Sequence, residues 1–186
     1  MVLKLKKPAI HFIYEGDGFS LRNFVPEDAV ALASHANNSR IAANLRDVFP
    51  YPYHLKDARE FIEKVMIDPV DLILAIEVDG EACGAIGLNG MDDIYRYNAE
   101  IGYWLSEQHW NKGIAGRAVG EMVRLGFTHF HWERIWAGVF AYNTASARVL
   151  EKNGFNREAL HRQAVCKNGK MLDEYIYALL KEEWKI

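Results

Sequence analysis

Residues 111–116 (NKGIAG) form a small, flexible and basic stretch at the point where a helical pattern begins. The start of a helix presents backbone N–H groups without a helical partner, and the helix dipole favours negative charge there, so such a start can bind an anion. Gly113 lets the backbone approach that anion closely, and Lys112 adds a positive charge. Asn111 is the only nearby side-chain cap, so a ligand phosphate is expected to complete the cap.

The same helix contains Gly116, Gly120 and Gly126, although each glycine costs about 1 kcal/mol relative to alanine in a helix interior. Spacing alone leaves two explanations open. Either a ligand comes close to the backbone, or the helix packs tightly against a sheet. The stretch is neither GxxxxGK[ST] nor GxGxxG, which excludes the phosphate cradle of nucleoside triphosphatases and a Rossmann dinucleotide site.

Hydrophobic periodicity, turn signals and caps predict the elements that position this stretch. Strands are expected at 19–24, on either side of Asp79-Gly80 within 72–90, at 97–107, at 134–140, and on either side of Asn168-Gly169 in the tail 157–184. Helices are expected at 26–37, 55–66, 114–130 and 143–153. The order of elements predicts a mixed α/β domain whose middle is a strand, a glycine-opened helix, a strand and a capped helix.

The composition is that of a globular protein, with 186 residues of which 50% are hydrophobic and 25% charged. This length is most simply one domain, residues 1–186. The formal net charge of −3 argues against binding nucleic acid through the whole surface. The longest aliphatic run, LILAI, is too short to cross a membrane. Polar residues and a proline interrupt the apolar N-terminal stretch and exclude a signal-peptide core, so a soluble, cytoplasmic protein is expected.

The cysteines and histidines do not suggest a metal site. Cys83 and Cys166 form neither a disulfide framework nor a CxxC pair. His129 and His131 lie two residues apart at a helix end, point to different sides and stand near no cysteine or carboxylate cluster. We therefore predict no metal, and an acyl-cysteine mechanism through Cys166 is not expected.

Two blocks of sequence, AEIGYWLSEQHWNKGIAGRAVGEMV (99–123) and RIWAGVFAYNTASARVLEKNGF (134–155), stand in a specific order and spacing. They resemble the GNAT superfamily of N-acetyltransferases, specifically the branch that acetylates the N-terminal amines of ribosomal proteins. The resemblance covers essentially the whole chain. It implies a mixed, mostly antiparallel sheet of about seven strands, splayed near its middle and flanked by about four helices, with acetyl-CoA as co-substrate wedged in the gap.

The family's pyrophosphate motif, Q/R-x-x-G-x-G/A, falls on residues 110–115. Trp110 departs from the usual Gln or Arg, although tryptophan is common there in the ribosomal branch. The motif favours the first explanation of the glycines, a pyrophosphate held on backbone amides. The resemblance assigns coenzyme binding to Trp104, Leu105, Trp110, Asn111, Lys112, Gly113, Ile114, Ala115, Gly116, Asn143 and Ser146.

Moving an acetyl group from a thioester to an amine requires a neutral amine, an aligned carbonyl, stabilisation of the oxyanion and a proton for the thiolate. In the family a backbone N–H of the splayed strand polarises the carbonyl, which places that role near Trp104 and Leu105. Glu107 matches the glutamate that acts as base in the ribosomal branch, and Glu100 matches an acidic position common in related sequences. Each is alternatively an ordinary surface carboxylate.

Many members of the superfamily carry a tyrosine in the second helix as proton donor, but that position is Leu150 here. The ribosomal branch has a serine in N-x-x-S, which Asn143 and Ser146 match. Ser146 is therefore expected to protonate the leaving thiolate, and Asn143 to cap the helix while touching the pantetheine. The alternatives are a small packing residue for Ser146 and a plain cap for Asn143.

Residues 46–54 (RDVFPYPYH) form an unusual segment that we call the aromatic loop. In the GNAT fold the first helices and their connecting loop cover the acceptor channel, so this loop is expected to contact the amine substrate. The alternative is a rigid proline-containing connector. The candidate acceptor-binding residues are Arg46, Phe49, Tyr51, Tyr53 and His54.

Taken together, the resemblance implies an acetyl-CoA-dependent N-acetyltransferase that transfers the acetyl group directly to a primary amine. The expected acceptor is the N-terminal α-amine of a protein such as a ribosomal protein. A small amine, such as a polyamine, an amino acid or an antibiotic, is the alternative within this class. A non-catalytic acyl-CoA-binding module is the alternative outside it. A monomer and a homodimer are both compatible with the sequence.

Overall fold

The computed structural model describes residues 13–67, 71–130 and 132–185. The strands are β1 (Ile13–Gly16), β2 (Phe19–Arg22), β3 (Leu72–Val78), β4 (Glu81–Gly90), β5 (Asn98–Leu105), β6 (Arg134–Phe140), β7 (Asn156–Lys167) and β8 (Lys170–Leu180). The helices are α1 (Ala29–Ala36), α2 (Ser39–Ala42), α3 (Leu55–Ile67), α4 (Ile114–His129) and α5 (Thr144–Lys152). His131 and most of the N-terminal stretch used in the signal-peptide argument lie outside the described residues.

The strands form one sheet of eight in the order β1-β2-β3-β4-β5-β6-β8-β7. The contact between β5 and β6 is parallel, whereas the other neighbours are antiparallel. The parallel pairing joins residues 98–100 to residues 134–136, whereas β4 pairs with β5 as far as Leu105. Beyond Glu100 the edge of β5 is therefore not paired with β6, and the sheet is split at its middle.

Helices cover both faces of the sheet. On one face, α4 and α5 bury side chains such as Met122 and Leu150 against residues of the central strands. On the other face, α1 and α3 bury Leu32 and Ile62 against small residues of β3 and β4. Within the described residues, no helix has the length and apolar character that crossing a membrane requires.

The mixed, mostly antiparallel and centrally split sheet confirms the predicted fold class. The described residues form eight strands and five α-helices, one more of each than expected, because β1 and α2 are only four residues long. The predicted turns at Asp79-Gly80 and Asn168-Gly169 join β3 to β4 and β7 to β8. The expected helix at 26–37 begins with a 3-10 turn, Pro26–Asp28, before α1 starts.

Candidate active site

β6 pairs with β5 only as far as Glu100, so the following residues of β5 have a free edge on that side. Just after β5, Ser106 N–H donates to Cys83 O of β4 at 2.8 Å, and N–H directions alternate along a strand. Trp104 N–H therefore points towards β4, whereas Leu105 N–H points into the split. Leu105 O faces the same way and accepts from the Trp110 indole at 2.7 Å. Of the two residues expected to polarise a carbonyl, strand geometry favours Leu105.

The basic stretch 111–116 forms the loop and first turn of α4. Gly113 precedes the helix in the left-handed region, with φ of 75°, and no side chain in the described part of the chain caps the helix, not even Asn111. Arg117 N–H donates to Gly113 O at 3.2 Å, so the N–H groups before it have no helical acceptor. Ile114 is buried in the core and anchors the turn. The helix start is therefore fixed in place while its backbone donors are uncapped.

The helix glycines fall into two groups. A methyl group added at Gly116 would meet nothing within 4 Å, so packing does not explain this glycine. At Gly126 the same methyl would lie 2.9 Å from Ile135 Cδ1 on β6, and at Gly120 it would lie 2.9 Å from Asn153 Oδ1. The two explanations left open by the sequence thus apply to different residues. Gly126 allows close helix–sheet packing, whereas Gly116 leaves space beside the uncapped turn.

Ser146 on α5 faces Tyr103 on β5 across the split. The Tyr103 hydroxyl lies 2.8 Å from Ser146 Oγ and 3.3 Å from Ser146 O. Burial raises the pKa of Tyr103 to about 12, so the phenol is neutral at ordinary pH. Asn143 accepts from Ser146 N–H at 3.1 Å and is thus a helix cap. Leu150, at the position of the family's tyrosine, is fully buried in the core.

Sequence reasoning missed Tyr103. A signal was available, because Ile101, Tyr103 and Leu105 alternate along β5 and share the face that packs under α4 and α5. A phenol in that apolar row requires a hydrogen-bond partner when it is buried. The structure supplies that partner from the capped helix.

Glu107 begins a 3-10 turn directly after the end of β5. Its carboxylate accepts from Asn38 Nδ2 at 2.8 Å and from Arg40 Nη1, and about a third of the side chain is exposed. The Arg40 guanidinium also lies over the Trp110 ring, 5.2 Å from its centroid. Asn38 and Arg40 come from the start of α2, nearly seventy residues away in sequence, so no local pattern pointed to them.

Glu100 lies where β5 and β6 separate, opposite Trp136. Both of its carboxylate oxygens lie 3.2 Å from Arg46 Nη2 of the aromatic loop. Five residues of strand separate Glu100 from Leu105, a distance of about 16 Å at the usual rise per residue. Glu107 is only two residues from Leu105. The arrangement therefore favours Glu107 over Glu100 as the base for a carbonyl held at Leu105.

The aromatic loop packs against the opposite face of β5. The Phe49 ring lies 5.5 Å from the Trp104 ring and 4.8 Å from the Tyr53 ring. Burial raises the pKa of Tyr53 to about 12. Tyr53 thus fits the connector explanation, whereas Arg46 and Phe49 adjoin the strand as an acceptor-binding role requires. Tyr51 and His54 are exposed.

The chain matches known proteins over most of its length. Residues 19–156 match the family model described as Acetyltransferase (GNAT) domain. The chain is 33% identical over 173 residues to the uncharacterized N-acetyltransferase p20 of Bacillus licheniformis, covering 89% of this chain and 94% of that protein. It is 30% identical over 100 residues to the ribosomal-protein-serine acetyltransferase of Escherichia coli strain K12, covering 54% and 55%.

Among solved structures, the fold is similar to the microcin C7 self immunity acetyltransferase MccE in complex with acetyl-CoA and AMP. The TM-score is 0.78 at 25% sequence identity, and the match covers 89% of this chain and 93% of that one.

Proposed function

This chain belongs to the GNAT acetyltransferase family, and from that premise we propose that it is a single-domain enzyme acetylating the N-terminal α-amine of a protein. The acetyl donor is acetyl-CoA, which proteins of this fold bind. A ribosomal protein in the cytoplasm is the acceptor that we favour, as in the Escherichia coli relative named for that activity. A small-molecule amine is the second candidate.

The observation that carries the proposal is the convergence of three groups on one split in the sheet. Leu105 N–H points into the split from one side, and the Ser146 hydroxyl reaches it from α5. Glu107 stands just beyond the end of β5. Acetyl transfer needs an oxyanion donor, an acid and a base, and these groups supply one of each.

In the reaction that we propose, the neutral amine attacks the thioester carbonyl while Leu105 N–H donates to the developing oxyanion. The amine loses its proton to Glu107, directly or through water. The carbon–sulfur bond then breaks, and the thiolate takes a proton from Ser146, whose hydroxyl is held by Tyr103. Glu107 then releases its proton to solvent, and Ser146 regains one from solvent. Direct transfer in a ternary complex requires no acyl-enzyme, and Cys166 at the far hairpin stays outside the scheme.

We propose that a peptide acceptor binds along the aromatic loop. Arg46 and Phe49 connect this loop to β5 through Glu100 and Trp104. A peptide lying along the loop would contact these side chains and present its terminal amine towards Glu107. A non-catalytic module would need the coenzyme site but no such grouping of acid and base.

Measuring thiol release from acetyl-CoA with N-terminal peptides and small amines tests the function. We expect turnover of peptides, with kcat/KM rising about tenfold per pH unit up to about pH 8, because only the neutral α-amine reacts. A lysine side chain would instead show a rise up to about pH 10.4. Turnover of spermidine or free lysine without turnover of any peptide would favour the second candidate. Coenzyme binding without any turnover would favour the module.

A second prediction concerns Lys112, which is exposed beside the uncapped turn. Lys112→Ala should weaken acetyl-CoA binding by about 3-fold at low ionic strength, because an exposed charge contributes little to an ion pair and is screened by salt. The difference should shrink as sodium chloride is raised. Lys64→Ala, which removes an equally exposed charge from α3, is the matched control. An equal effect of both variants would argue against contact between Lys112 and the coenzyme.

A further inference from the structure

Three potential metal ligands converge near the end of β5, on the side of β4. His35 comes from α1, and Glu81 and Cys83 come from the start of β4. His35 Nε2 lies 3.1 Å from Glu81 Oε2 and 3.4 Å from Cys83 Sγ. One ligand atom from each residue falls within 4.8 Å of the other two. His35 is 46 residues from Glu81 in sequence, so these ligands do not form a local sequence motif.

One ring nitrogen of His35 faces both of the other two side chains. A neutral imidazole has one N–H and one acceptor nitrogen. His35 Nδ1 already pairs with Ser106 Oγ at 3.0 Å, which leaves Nε2 to face both a carboxylate and a sulfur. If Nδ1 carries the proton, the Nε2 lone pair faces the carboxylate of Glu81 directly. If Nε2 carries it, the proton goes to Glu81 Oε2, and the Cys83 thiol donates to Val78 O at 3.9 Å. A cation between the three ligand atoms would take the place of these protons and be bound by all three.

We propose that His35 Nε2, Cys83 Sγ and a carboxylate oxygen of Glu81 form a Zn²⁺ site, with water as the fourth ligand. Zinc binds nitrogen at about 2.0 Å and sulfur at about 2.3 Å in tetrahedral geometry, which sets the nitrogen–sulfur distance near 3.6 Å and the nitrogen–oxygen distance near 3.3 Å. The two separations from His35 Nε2 are a few tenths of an ångström shorter, and the ligand atoms of Cys83 and Glu81 lie within 4.8 Å of each other. On binding, zinc displaces the thiol proton of Cys83 to solvent and forms the zinc–sulfur bond.

The surroundings fit a metal site in two further respects. A metal-bound histidine usually donates its other ring N–H to a neighbouring group, and Ser106 Oγ is placed to accept from His35 Nδ1. Glu81 is 63% exposed, so an ion can reach the site from solvent.

The position of the site suggests what the ion would do. Ser106 directly precedes Glu107, and its N–H donates to Cys83 O at 2.8 Å. A bound ion would therefore fasten α1 and β4 to the end of β5, beside the proposed base. This role is separate from acetyl transfer, for which we expect no metal.

Titration of tag-free protein with Zn²⁺, followed by calorimetry, tests the site. We expect one ion per chain, and an affinity at least about 10-fold lower for Glu81→Gln, because even loss of a residue that only orients a ligand typically costs 10- to 100-fold. Glu81 is exposed, so this variant should fold normally. Asp79→Asn removes the same charge two residues away and should bind zinc like the parent protein.

Substitution of Co²⁺ identifies the sulfur ligand. The parent protein and Cys166→Ser should show the absorption of a cobalt–thiolate bond, and Cys83→Ser should lack it. Cys166 is the matched control because it is the exposed thiol, on β7. Failure of the parent protein to bind zinc at stoichiometric concentration would overturn the proposal. So would equal affinity of Glu81→Gln and Asp79→Asn, or a thiolate signal that survives in Cys83→Ser.

Discussion

A Gly113→Val variant is expected to lose acetyl-CoA binding, with Kd raised at least about 100-fold. This factor corresponds to the loss of two charge-assisted hydrogen bonds from backbone N–H groups to the pyrophosphate, at about 1.5–3 kcal/mol each. Gly113 has a φ of 75°, a conformation that a β-branched residue avoids. The added Cβ would lie 2.9 Å from Arg117 Nη1, the end of a flexible side chain that can move aside, so the strain comes from the backbone angle. The loop must therefore rearrange, and the N–H groups of 113–116 would no longer converge on one pyrophosphate. Calorimetry with acetyl-CoA measures the loss.

Two further variants, a control at Gly169 and a second probe of the site at Gly116, separate the loss of the site from general strain. Gly169→Val places valine at a φ of 73° in the distant hairpin turn, where its Cβ would meet nothing within 4 Å. This variant strains the backbone to a similar extent and should leave the affinity for acetyl-CoA unchanged. Gly116→Ala adds a methyl group in open space within a helix, so it should not destabilise the fold. A coenzyme lying against that turn would meet the methyl group, and binding should weaken.

Comparing these variants tests whether the pyrophosphate binds at the start of α4. Unchanged affinity in Gly113→Val would remove the basis for placing the pyrophosphate at the start of α4. Equal losses in Gly113→Val and Gly169→Val would attribute the effect to destabilisation. Thermal unfolding of each variant, measured alongside calorimetry, shows which proteins are folded at the temperature of the titration.

Local sequence patterns predicted the elements that depend on neighbouring residues. Asp79-Gly80 and Asn168-Gly169 adopt positive φ angles in both hairpins, as such dipeptides do in two-residue turns. Asn143 caps α5 through a bond to a residue three positions away. In each case the determining contact lies within a few residues, so a single sequence contains the information.

Contacts between distant segments could not be obtained in this way. Glu107 was singled out from the resemblance, but its partners Asn38 and Arg40 lie on another helix. Glu100 and Arg46 were assigned to different roles, as base and acceptor contact, and the structure joins them in one ion pair. A charge pattern shows which residues are ionic, but the fold decides which of them meet.

The second large effect is expected at Ser146. Ser146→Ala should lower kcat by about 100-fold, the lower end of the contribution of general acid catalysis, because a coenzyme A thiolate is a fairly good leaving group. Coenzyme affinity should stay nearly unchanged, as expected when an interaction forms mainly in the transition state. Steady-state kinetics with the best peptide acceptor, together with calorimetry, measures both quantities.

Tyr103 supplies a sharper test, because the phenol touches the Ser146 hydroxyl. Its raised pKa of about 12 makes it a poor source of the proton, so it should act by holding Ser146. Tyr103→Phe should therefore lower kcat in the same direction as Ser146→Ala. The double variant should be little worse than Ser146→Ala alone, because residues that act as a unit are not additive.

Tyr177→Phe is the matched control for this pair. Tyr177 is another buried phenol, and it donates to Glu151 Oε1 at 2.9 Å on the far side of β6. Its loss should cost similar stability without changing kcat. If Ser146→Ala leaves kcat unchanged, or if only coenzyme affinity falls, Ser146 is a packing or pantetheine-contact residue and water delivers the proton. Additive losses in Tyr103→Phe and Ser146→Ala would separate the two hydroxyls, because a phenol that works only by holding the serine has no effect once the serine is gone.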